Sequence, residues 1–195
     1  MRGLVLCSRV GTIYAAPMGP IITASLKAEE PITGWLKTAT PTLVVRCKTP
    51  AAGDPIAGIA ARTPFLPVQP GLDVYVDLGM PATVENVEGK HTVHIRFDDH
   101  PERRSGSSES NDKETLFLAP ATAVQMVLTS RALLKGNRML FQFTPFNASP
   151  AIATFDIRGF DNHVGQILEA CPAANYAAWT FPPGQTSDNW PPPKK

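Results

Sequence analysis

Residues 40–47, Thr-Pro-Thr-Leu-Val-Val-Arg-Cys, constrain the fold more than any other part of the chain. Leu43, Val45 and Cys47 alternate with Val44 and Arg46, so an extended strand puts them on one face, turned toward a core. Far along the chain, Phe160, Val164, Ile167 and Leu168 recur at helical spacing and lead to Cys171. Both thiols therefore point at the same core, and a Cys47–Cys171 disulfide is predicted, with Cys7 left odd. The competing reading is three buried free thiols in a reducing compartment, because a free cysteine packs as a small hydrophobe. If formed, the bridge closes a loop of about 125 residues, for which chain-entropy theory gives on the order of 5 kcal/mol. The three cysteines match no zinc spacing.

The same alternation recurs elsewhere. In residues 72–78, Val74, Val76 and Leu78 oppose Asp73, Tyr75 and Asp77; in 91–98, Val93, Ile95 and Phe97 face inward and Thr92, His94 and Arg96 outward. Residues 21–28, 115–118, 139–144 and 152–157 read as further strands, the last two joined as a hairpin by Pro-Phe-Asn-Ala-Ser-Pro. Trp35 and Leu36 cover a sheet edge or begin a short strand. Pro120 opens a helix carrying Val124, Val127 and Leu128 on one face and ending near Gly136. A last helix starts near Asp161 as N-cap and stops at Pro172. The expectation is an α+β domain at residues 17–172: a mainly antiparallel, sandwich-like sheet of six or seven strands with two short helices.

Around that domain lie segments of other character. Residues 1–16 are an N-terminal extension or degenerate leader, its apolar run broken by Ser8 and Arg9. Residues 49–71 form a proline-rich insertion, and 101–114, rich in Ser, Arg and Glu, read as an exposed, mobile loop. Residues 173–195 are a proline-rich tail in which Trp179, Phe181 and Trp190 are candidates for docking.

Lys plus Arg number 18 against 17 for Asp plus Glu, so no net field draws the chain to nucleic acid. No apolar run approaches the ~20 residues that span a bilayer. The densest polar cluster is His91, His94, Asp98, Asp99 and His100, which invites a metal or acid–base site. His91 and His94 are three apart, however, and on one strand they face opposite sides, so a solvated strand end is the better reading. His163 stands alone on its helix. Gly89, Lys90, His91 and Thr92 lack the earlier glycine of a phosphate loop. Ser105, Ser107, Ser108 and Ser110 lie in no Gly-x-Ser-x-Gly elbow. The apolar strand around Cys47 argues against a reactive thiol. No catalytic residue, cofactor or metal is expected.

Read together, Ile-Ile-Thr-Ala-Ser-Leu-Lys-Ala-Glu-Glu from Ile21, Pro-Thr-Leu-Val-Val-Arg-Cys to Cys47 and Leu-Asp-Val-Tyr-Val-Asp-Leu-Gly from Leu72 form one pattern with several later pieces. These are Val-His-Ile-Arg-Phe-Asp ending at Asp98, Thr-Pro-Phe-Asn-Ala-Ser-Pro from Thr144, Ala-Thr-Phe-Asp-Ile-Arg-Gly from Ala153 and Glu-Ala-Cys at Cys171. The pattern, over residues 17–172, resembles the VasI/TagO family of type VI secretion-associated proteins. The resemblance implies a periplasmic accessory of the cell envelope that acts by contact with other subunits of a contractile secretion machine, with Cys47 and Cys171 where the family's cysteines stand. The poor leader, the insertion and the long tail depart from that pattern, and they motivate an alternative, a structural or decoration protein of a phage-like particle assembled in the cytoplasm. An unrecognised hydrolase or metal-binding protein is a third reading, resting on His94, Asp98, Asp99 and His100.

Overall fold

The alternation of apolar and polar side chains becomes alternation of burial. Along residues 138–145 every second residue, Met139, Phe141, Phe143 and Pro145, is buried while those between are partly or fully exposed. The computed structural model describes residues 12–13, 21–48, 71–83, 85–87, 90–119, 122–123, 125–129 and 131–170. Within them run β1 (Thr12–Ile13), β2 (Ile21–Lys27), β3 (Ile32–Thr33), β4 (Thr38–Ala39), β5 (Thr42–Lys48), β6 (Gly71–Asp77), β7 (Ala82–Thr83) and β8 (Glu85–Val87). They are followed by β9 (Lys90–Phe97), β10 (Arg103–Glu109), β11 (Thr115–Leu118), a π-helical turn (Gln125–Thr129), α1 (Ala132–Lys135), β12 (Arg138–Pro145), β13 (Ala151–Asp156) and α2 (Asp161–Ala170).

All strand pairings are antiparallel, in the order β1-β2-β5-β6-β11-β10-β9-β12-β13. The short β7 and β8 pair with β12 and β9, and β3 and β4 make a separate two-stranded hairpin. Because β11 returns beside β6 after the meander β9-β10-β11, these four strands form a Greek key. The two ends of the sheet then meet: the Glu29 amide, just past β2, donates to the Thr154 carbonyl in β13 at 2.8 Å. The result is a nearly closed, barrel-like sheet.

Leu43, Val45 and Cys47 of β5, Val74 and Val76 of β6, Val93, Ile95 and Phe97 of β9, and Met139, Phe141 and Phe143 of β12 fill the inside. From the far end of β13, α2 turns back onto β2 and β5 and adds Phe160, Val164 and Ile167 to this core. Gly159, with φ +75°, makes the turn that precedes it. Asp161 is the first helical residue rather than the cap, and its carboxylate sits in the first turn where the helix dipole favours it. The expected α+β class, with a mainly antiparallel sheet and two short helices, is what the chain adopts.

Two expectations are corrected. Residues 101–114 are not an open loop: seven of them form β10, hydrogen-bonded between β9 and β11 in the middle of the sheet. The inward positions of β10 in register with Val93 and Leu118 are Ser105 and Ser107, so polar residues occupy places that are apolar in the neighbouring strands. Ser105, 4% exposed, satisfies its hydroxyl on Thr122 Oγ1 at 2.9 Å and the Gly106 carbonyl at 3.0 Å. Secondly, the helix expected from Pro120 to Gly136 is broken. Arg131 adopts φ 56°, which separates the π-helical turn from the four-residue α1. Val127 is buried as expected; the side chains of Val124 and Leu128 lie outside the described residues.

Candidate interaction site

One mouth of the barrel is closed by backbone and carboxylate. There Asp98, at the end of β9 with φ 46°, accepts from the Asn137 amide at 3.0 Å and the Arg138 amide at 2.9 Å, and its own amide donates to the Arg138 carbonyl. A Cβ on Gly136 would lie 2.8 Å from the Ala132 carbonyl oxygen and 3.3 Å from Asp98 Oδ2, so only glycine allows α1 to end this close to the clamp. Asp98 is thus a structural tie between β9 and β12. Asp99 is exposed, and the His100 amide donates back to the Phe97 carbonyl in the same turn. His94 faces outward, its Nδ1 2.5 Å from Glu102 Oε1. The side chain of His91 lies outside the described residues. Among the described residues no three His, Cys, Asp or Glu side chains converge as a metal site. His163 is half-buried on α2, away from this cluster in the chain and on a separate element.

On the outer face, Arg46 pairs with Asp73, its Nη2 2.6 Å from Oδ2, and its guanidinium carbon lies 5.0 Å from the Tyr75 ring centroid and 5.8 Å from that of Phe117. The two rings are themselves 5.0 Å apart. Burial pushes the Tyr75 phenol above its ordinary pKa, against the opposing pull of Arg46. These groups satisfy one another.

The other mouth is different. β3 and β4 carry a tight turn, its Gly34 amide donating to the Lys37 carbonyl at 3.0 Å, and Thr33 and Thr38 hydroxyls meet across it at 3.1 Å. The hairpin is seated on the barrel: Lys37 Nζ lies 2.7 Å from Glu114 Oε1, and a Cβ on Gly34 would lie 2.9 Å from Met80 Sδ and 3.5 Å from Pro145. This seating carries Trp35 and Leu36, at the tip of the turn, beside the turn that joins β12 to β13. Trp35 stands 62% exposed and Leu36 61%. The Trp35 ring is 6.2 Å from that of Phe146, itself half exposed, with planes tilted at 54°. Phe146 is held in place because its amide donates to the Pro81 carbonyl and Asn147 turns the chain with φ 53°. Ile152, at the start of β13, is the fourth large exposed hydrophobic residue among the described ones. Glu29 and Glu30, both exposed, flank the entry to the hairpin.

Trp35 and Leu36 were expected to cover a sheet edge or begin a short strand; they stand exposed at the tip of the turn between β3 and β4. Phe146 was not singled out, although an aromatic residue in a turn rich in Pro and Asn has no core position to fill. Cys47 is buried and disulfide-bonded. Cys171, Cys7, and the tail residues Trp179, Phe181 and Trp190 lie outside the described residues. Comparison of the chain with protein-family models, curated proteins and solved structures finds no match in any of the three. Among the described residues no helix is long and apolar enough to cross a membrane.

Proposed function

We propose that the protein is a non-catalytic binding or scaffold protein, an envelope accessory of a type VI, contractile secretion system, that docks a partner subunit at the aromatic corner. The observation that carries this reading is the corner itself: Trp35, Leu36 and Phe146 are presented to solvent by a hairpin and a turn held rigidly on the barrel. Rigid aromatic side chains lose little entropy on binding and dominate the energetics of interfaces. Asp98, the strongest candidate for acid–base work, spends its carboxylate on backbone amides instead.

Periplasmic location is part of the same proposal, and the disulfide at Cys47 supports it, since such bonds persist in oxidising compartments. Its partner is assigned to Cys171. α2 packs on β5, which carries Cys47, and in the sequence Cys171 directly follows the last residue of α2, four positions after buried Ile167.

The test is isolation of the secretion assembly from cells producing the full chain or its Trp35→Ala/Phe146→Ala variant, with identification of cross-linked subunits by mass spectrometry. The chain is expected to cross-link to a defined subunit of the assembly, and the variant to lose that adduct by tenfold or more. No association with the assembly, or an adduct indifferent to the two substitutions, would overturn the reading.

A further inference from the structure

We infer that the aromatic corner takes a proline-rich, aromatic and basic segment, and that residues 190–195 of this chain, Trp-Pro-Pro-Pro-Lys-Lys, are its occupant. This rests on the reading of the corner as a docking surface and names what docks there. A run of prolines is already extended in polyproline II geometry, so little entropy is lost when it binds, and exposed aromatic rings are the surface on which such segments pack. Trp35 and Phe146, tilted against each other 6.2 Å apart, provide such rings, and the Phe146 amide ties its backbone to the Pro81 carbonyl.

Charge sets the choice among apolar segments. Glu29 and Glu30 are exposed beside the hairpin, and Glu30 has no ion pair among the described residues. In the segment, Lys194 and Lys195 follow the prolines directly, so a chain whose proline run lies on the rings carries two cations at one side of the aromatic contact. Glu29 already interacts with the Arg158 guanidinium, and an apolar segment without basic residues would leave Glu30 unmatched.

The segment also reaches. α2 ends at Ala170, twenty residues before Trp190 (190 − 170). At ~3.1 Å per residue an extended stretch of that length covers on the order of 60 Å, whereas a domain of ~150 residues has a radius of gyration of about 15 Å. A stretch of that length is long enough to bring residues 190–195 from the end of α2 to the corner.

The test places a photo-cross-linking p-benzoylphenylalanine at position 190 of the full chain and maps adducts by mass spectrometry in a mixture of isotopically light and heavy protein. Adducts are expected to concentrate on residues 32–39 and 145–147, to fall at least tenfold in the Trp35→Ala/Phe146→Ala chain, and to fall several-fold with Glu29→Lys/Glu30→Lys. Corner adducts within one copy, or between light and heavy copies, both support the assignment and tell which chain the segment serves. Adducts distributed over other surfaces, or unchanged in the aromatic variant, overturn it. If they miss the corner while association with the secretion assembly still depends on Trp35 and Phe146, this inference fails and the docking function stands; if that dependence is also absent, both fail.

Discussion

Asp98 shows how a residue that looks chemical can be structural. Its carboxylate receives two backbone amides that open β12, and a left-handed backbone lets it reach them. Both amides belong to exposed residues, where water can replace the carboxylate, so losing the tie costs the net worth of two hydrogen bonds, about 0.5–1.5 kcal/mol each. Asp98→Ala is therefore expected to lower the midpoint of thermal unfolding by several degrees. Asp98→Asn, which keeps one acceptor and tolerates positive φ, should lose less. Equal melts for wild type and Asp98→Ala would refute the tie. A second residue-scale prediction concerns acid. The Arg158 guanidinium beside Asp156 holds its carboxyl below the usual carboxylate range. A depressed folded-state pKa means that the stabilisation is fully present above the unfolded value and disappears as the pH falls through the folded one. Between about pH 5 and pH 2, on the ordinary carboxylate scale, the Arg158→Gln chain should lose less stability than wild type in thermal melts recorded across that range. Parallel curves for the two chains would exclude the linkage.

At the scale of elements, β10 and α2 were legible to different degrees. The stripe Phe160, Val164 and Ile167 has the 3.6-residue period of its helix, and all three are buried. β10 has no apolar period to read. It is a strand because β9 and β11 supply backbone partners on both sides, and its Ser105 is tolerated inside because Thr122 and a carbonyl satisfy the hydroxyl. Local propensity for Ser and Gly points to a loop, and tertiary pairing overrides it. For α2 the assigned Cys47–Cys171 staple has a measurable consequence. Cys47→Ser and Cys171→Ser should each destabilise by several kcal/mol, on the order of the loop-closure value. The double variant should be no worse than either single one, and Cys7→Ser should melt with the wild type. Chemical-denaturant unfolding with thiol counting reads all four; additive single losses, or a large effect at Cys7, would assign the bond differently.

For the whole molecule, closure of the sheet sorts the surface into a tied mouth and a presenting one. The bond from Glu29 to Thr154 joins the sheet's ends, and the hairpin that follows it is thereby laid against the β12–β13 turn. Because Trp35 and Phe146 are largely exposed, removing them takes little from the folded state: Trp35→Ala/Phe146→Ala is expected to change unfolding free energy by no more than about 0.5 kcal/mol per site while abolishing docking. A collapse in stability would mean that the two rings are core rather than interface. The sequence by itself determined which residues of the strands at 43–47, 72–78 and 91–98 and of the last helix face inward, because the periods of 2 and 3.6 are properties of the local backbone. Tertiary structure alone decided that a polar stretch is a central strand, that Asp98 is a clamp, and that Trp35 and Phe146, 111 residues apart (146 − 35) in the chain, share one corner. Each of those depends on which distant segments supply hydrogen bonds and contacts, and no local period encodes that.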